Sequence, residues 1–101
     1  MKPEADILLR LSAQHALLGA VTSNLRSFSV EMNGGTVTCQ AVFQDAPAAE
    51  EIDLIQSAST EIIADFSDAK INESFIVCGD QAMPTALTYL IYQRHEPQDG
   101  P

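Results

Sequence analysis

His15, His95, Cys39 and Cys78 are the side chains best equipped for bond-making chemistry in this chain, and their placement argues against each role in turn. A general base or nucleophile needs a second group held beside it. His15 falls next to the apolar stripe of a helix and reads as a core-edge residue, and His95 borders a loose tail. The cysteines and histidines are not at metal-ligand spacing, so no metal site is expected. In a reducing compartment Cys39 and Cys78 read as small buried hydrophobes and not as a disulfide. Gly34-Gly35 lacks the Lys-Ser/Thr and following helix of a phosphate loop. Asp45, Glu50, Glu51 and Asp53 are crowded enough to attract calcium loosely, but the alternating Asp/Asn loop with its central glycine is missing, and a solvated helix start is the better reading. No cofactor is expected. An enzyme, for instance a small hydrolase or isomerase using His15 with a carboxylate, is the minority reading.

Charge is the more informative signal. Fourteen acids against five bases give a net charge of −9 over 101 residues. Phosphates would be repelled, and no basic, aromatic-laced patch exists for single strands, so direct nucleic-acid binding is not expected and a basic protein partner fits better. The charge is also uneven: Asp45 to Asp80 holds nine acids and only Lys70, a net of −8 in that one segment. Solubility alone would explain acidity spread evenly, but not this clustering. The N-terminal stretch has Pro3, Glu4, Asp6 and Arg10 where a secretory signal would be basic and then apolar, and no stretch is long and apolar enough to span a membrane. A cytoplasmic protein is expected.

The elements that must position these groups can be read from periodicity. Residues 3 to about 21 form a first helix with Ile7, Leu8, Leu11, Leu18 and Val21 on one face, flanked by Gln14 and His15. From Leu25 the period becomes two: Phe28, Val30 and Met32, then, after Asn33-Gly34-Gly35, Val37, Cys39, Ala41 and Phe43. That pattern predicts a hairpin whose turn centres on Asn33-Gly34 or Gly34-Gly35. Ala48 to Phe66 is a two-faced helix at about 100° per residue, with Ile52, Ile55, Ser59, Ile62, Ile63 and Phe66 on one side and Glu50, Asp53, Ser57, Glu61 and Asp65 on the other. Ile71 to Cys78 is a third strand whose two faces are both mixed. Thr85 to Arg94 is a fourth strand, apolar on both faces. The expected fold is a single α+β domain over residues 1–95, in the order helix, strand, strand, helix, strand, strand. One four-stranded antiparallel sheet carries both helices on one face and shows Val42 to solvent or a partner on the other. Residues 96–101 are expected to be a disordered tail.

With these elements in place, LLGAVTSNLRSFSVE, the polar hairpin, STEIIADF and INESFIV resemble small acidic bacterial immunity proteins of contact-dependent growth inhibition and related polymorphic toxin systems. The likeness covers most of residues 5 to 94. It implies a non-enzymatic protein that binds and neutralises a cognate toxin domain, commonly a nuclease. It carries over no functional residue, because such proteins recognise their toxins through variable surfaces. The residues themselves nominate Asp45, Glu50, Asp53, Glu61, Asp65 and Asp68 as an electrostatic surface complementary to a basic cleft. Leu54, expected to stand exposed among them, is nominated as an apolar anchor. The competing expectation is a structural or adaptor module that acts as a homodimer, through the open sheet face or the edge of the fourth strand.

Overall fold

A computed structural model describes residues 3–96 as α1 (Pro3–Ala16), β1 (Leu25–Asn33), β2 (Thr36–Phe43), α2 (Ala49–Ala64), β3 (Lys70–Val77) and β4 (Tyr89–Gln93), the expected order of elements. Of the predicted tail, residues 97–101 lie outside the described residues. Gly34 and Gly35 have φ of +56° and +80° and make the two-residue turn that sets Asn33 opposite Thr36. Positive φ at both turn positions matches strand twist and favours glycine, so Gly34-Gly35 is the centre of the hairpin. Phe28 faces Ala41, Val30 faces Cys39 and Met32 faces Val37. These residues join Leu9, Leu25, Phe43, Ile55 and Ile62 in one core cluster under the helices.

The sheet is mixed and not purely antiparallel. Its order is β3-β2-β1-β4, with β1 antiparallel to both neighbours and β3 parallel to β2. The 16-residue helix α2 carries the chain back along the sheet, so β3 starts where β2 started; Lys70 N–H donates to Gly35 O at 2.9 Å. A helical crossover of this kind joins parallel strands. β3 then aligns Glu73 with Cys39 and Phe75 with Ala41, which puts Ile71, Glu73, Phe75 and Val77 on the helix side, and Phe75 stacks on Phe43 at 6.5 Å. α1 lies over β1 and β4, α2 lies over β2 and β3, and the two helices pack on each other.

The connection from β3 to β4 crosses the face expected to be open. Val42 is fully buried, and Ser27, Ser29 and Gln40 beside it are buried as well. Ser29 Oγ accepts from Leu87 N–H at 3.0 Å, Gln40 Nε2 donates to Thr85 O at 3.3 Å, and Glu31 Oε1 accepts from Thr88 N and Oγ1. The polar positions of the hairpin therefore serve as partners for the backbone of a strap, not as a solvated face. Handedness explains the side chosen. A right-handed β2-α2-β3 unit with helices on one face leaves the return to the far edge right-handed only across the other face. Residues 85–88, expected to open the fourth strand, belong to this strap.

Two bulges tune β1. Leu25 faces Phe43 and Ser27 faces Val42, so Arg26 is an extra residue and turns out of the ladder. Its guanidinium, almost wholly buried, donates to Cys78 Sγ at 3.0 Å, Gly79 O at 2.9 Å and Gln81 O at 3.0 Å, and grips Glu96 through Nε at 2.8 Å and Nη2 at 2.6 Å. Arg94 adds Nη2 contacts to Glu96 at 3.2 Å and to Gln44 Oε1 at 3.0 Å. Glu96, expected to begin the tail, is thus an anchoring residue. On the other side of β1, Phe28 faces Tyr92 and Ser29 faces Leu90, so Ile91 is the extra residue. That bulge brings Ile91 onto the core side together with Tyr89 and Tyr92 and accounts for the lack of alternation in β4.

α1 is rolled away from its expected face. Leu9, Ser12, Ala13 and Ala16, followed by Leu17 and Ala20, point inward. Ile7, Leu8, Leu11, Leu18 and Val21 are 57%, 44%, 58%, 76% and 41% exposed. A helix wedged against both α2 and the sheet needs small side chains at the closest approach, and the alanines supply them. The helix ends at Ala16, and the following turn contains Gly19 at φ +81°, a left-handed value suited to glycine.

Leu9→Ala is expected to cost about 2–5 kcal/mol of unfolding free energy, and His15→Gln, at an exposed position of the same helix, to stay within about 0.5 kcal/mol of wild type, in urea titrations. The Arg26 guanidinium, with Arg94 beside it, holds the Glu96 carboxyl below the usual carboxylate range. A carboxyl depressed in the folded state contributes stability that is complete above its unfolded pKa and is lost as pH falls through the folded one. Denaturation midpoints of wild type and Glu96→Gln should therefore differ at neutral pH and converge as pH drops below about 4.

Candidate functional site

α2 is held by packing on one side and leaves its acids on the other. Ile55, Ala58, Ser59 and Ile62 are buried, with Ile52, Ile63 and Phe66 half-buried at the rim. At the start of the helix Glu51 reaches back to accept from Ala48 N–H at 3.1 Å and from Thr22 Oγ1 at 2.8 Å. The Ala48 bond, then the Thr22 bond, hold its carboxyl below the usual range. Glu51 is thus a capping residue tied to the loop after α1.

The nominated residues divide by their contacts. Glu50, Asp53 and Glu61 are exposed along the outer side of α2, a helix about 24 Å long. Asp45 is exposed before the helix; its backbone N–H donates to Asn24 Oδ1 at 2.8 Å, and it borders a polar hollow with Ser23, Gln44, Glu51 and Arg94. Asp65 ends the helix as its C-cap and accepts a 2.7 Å hydrogen bond from the buried Ser12 hydroxyl of α1, so it also joins the two helices. Asp68 is exposed in the turn leading to β3. Leu54 is not an exposed anchor: it is half-buried and packs against the core cluster.

At the C-terminal end of α2 the acids work against the helix. Glu61, Asp65 and Asp68 gather where unpaired carbonyls already make the potential negative, and the last turn carries no basic residue. Neighbouring like charges cost a further few tenths of a kcal/mol. Beside them lies a shallow depression lined by Met32, Phe66 and Ala69, with Asp65 and Asp68 at its margin. Sequence reading missed this depression because Met32 and Phe66 sit far apart in the chain and were both assigned to the core.

The groups with chemistry to offer are dispersed. Burial pushes the Cys39 thiol up to about 11, which keeps it out of thiolate chemistry at neutral pH. Cys78 is half-buried under the Arg26 guanidinium, and both cysteines are free. His15 and His95 are exposed on separate elements. Among the described residues no helix is long and apolar enough to cross a membrane.

Glu61→Gln and Asp68→Asn should leave stability unchanged or raise it by about a few tenths of a kcal/mol at low salt. Asp65→Ala strands the buried Ser12 hydroxyl and should lower stability by about 1 kcal/mol. Thermal melts of the three variants in one buffer separate the acids that stabilise the fold from those that do not.

In comparison with known families, a family model described as MafI2 immunity protein matches residues 6–96. Comparison with curated proteins gives no match.

Proposed function

The chain belongs to the MafI2 immunity protein family, and from that premise we propose that it neutralises a cognate toxin domain by docking the acidic side of α2 into a basic cleft on that toxin. Membership makes it an immunity protein of a polymorphic toxin system, and a toxin is the partner that this implies. Within that class, contact-dependent growth inhibition is the system first suggested by the sequence, and a nuclease is the toxin whose phosphate-binding cleft would best complement this surface.

The observation that carries the reading is the acid cluster at the negative end of α2. Glu61 in the last turn of α2 and Asp68 in the turn just beyond it, with Asp65 between them, add negative charge where the helix end is already negative, and a cationic partner would relieve their repulsion. Asp53 and Glu50 extend the same face toward the helix start, and the depression by Met32 and Phe66 offers an apolar contact at the rim of the charge. Leu54 is left out of the docking surface because it packs inward. The protein acts by binding in the cytoplasm and not by catalysis.

The test is association kinetics with the toxin domain encoded beside this chain. The association rate should fall steeply between low and physiological salt. Asp53→Lys combined with Glu61→Lys should lower it by about tenfold or more while the variant stays folded. An unchanged rate in that variant would remove α2 from the electrostatic interface.

A further inference from the structure

We propose that this chain pairs with a second copy of itself through the outer edge of β4 and the exposed stripe of α1, an interface separate from the acidic side of α2. The order β3-β2-β1-β4 leaves β3 and β4 as the two edges of the sheet. Exposed edges are ordinarily blunted by charge, proline or cover. β3 is blunted, by Lys70 and Glu73 along its length and by the acidic helix above it. β4 is blunted only by its shortness and its bulge at Ile91: Leu87 to Gln93 contains no charge and no proline, and Leu90 is 48% exposed.

The helix above this edge is unfinished in the same direction. Ile7, Leu11, Leu18 and Val21 make an apolar stripe that neither α2 nor the sheet covers. The C-terminal end of that stripe forms a shallow apolar groove with Ile91 and Tyr92 of β4, and its other end flanks Arg10, whose guanidinium lies 5.5 Å from the Tyr89 ring centroid. Edge and stripe therefore form one continuous face.

Charge selects the occupant. α1 and β4 carry two acids, Glu4 and Asp6, against one base, Arg10, so this face has a formal charge of −1 in a chain whose net charge is −9. A cationic protein finds little electrostatic reason to dock here. A second copy can approach here without the repulsion that two α2 faces would meet, because α2 lies over β2 and β3 on the far side. A two-fold axis perpendicular to the sheet at this edge pairs β4 antiparallel with its copy, extends the sheet to eight strands and sets one α1 against the other, which is the self-complementary geometry of a closed dimer.

Sedimentation velocity of the full chain at about 50 micromolar, where a dimer of micromolar Kd is mostly assembled, tests this. The expected mass is twice 10.9 kDa, unchanged when salt is raised to about 0.5 M, because the face is apolar and carries little charge. Leu11→Asp combined with Leu18→Asp should sediment as a monomer with a native circular dichroism spectrum and should still bind the toxin. Leu18→Asp alone, at the most exposed of these positions, should raise the dissociation constant by about tenfold or more. Asp53→Ala with Glu61→Ala should remain dimeric. The proposal is overturned by a monomeric wild type, by a dimer that survives both leucine changes, by a dimer lost with the α2 changes, or by loss of toxin binding in the folded leucine variants.

Discussion

The guanidinium of Arg26 is the contact on which the far side of the sheet depends. A bulge in β1 turns it out of the ladder, and it then holds Gly79 and Gln81 at the start of the strap and Glu96 just after β4. Both ends of the segment from residue 79 to residue 96 are thereby fixed to one residue in the middle of the sheet. Arginine suits the position because its planar fork can grip a carboxylate bidentately while its remaining N–H groups reach carbonyls, which a lysine ammonium cannot match. Glu96 supplies the counter-charge that a nearly buried cation requires.

The strap held in this way decides what the molecule can show to a partner. Because it covers Val42, Ser29 and Gln40, the broad face of the sheet is not itself open to a partner. The serines and glutamine that looked like a solvent face instead satisfy strap backbone that would otherwise be buried without partners. A polar strand face has two uses, solvation and cross-bracing, and alternation along the strand does not distinguish them.

The same limit explains which parts of the fold were legible in the sequence. The hairpin could be read because Phe28, Val30, Cys39 and Ala41 alternate strictly around a glycine turn, and every link in that inference is local. The core side of α2 could be read because Ile55 and Ile62 stand opposite charges. The inner face of α1 could not: its closest contacts are alanines, and a hydrophobicity count gives more weight to Ile7 and Leu11, which lie outside. The parallel pairing of β3 and the crossing of the strap depend on topology, which periodicity does not carry. In the candidate site, charge and its clustering were visible in the sequence. The Ser12 bond of Asp65 and the inward packing of Leu54 were not, since both depend on where α1 sits beside α2.

These corrections change what each helix contributes to recognition. α2 presents charge with its apolar residues used up in the core, so its face can select a cationic partner and speed encounter but offers little apolar area of its own apart from the depression by Met32 and Phe66. α1 presents apolar area with a formal charge of only −1, so its face is suited to contact without strong selection for charge. Electrostatic attraction weakens with salt, whereas apolar burial does not, so a contact through the α2 face is salt-sensitive and one through the α1 face is not. Two such contacts on separate helices of one small domain can operate without competing. The rigid sheet beneath both helices, braced on its far side by Arg26, keeps the faces at a fixed separation.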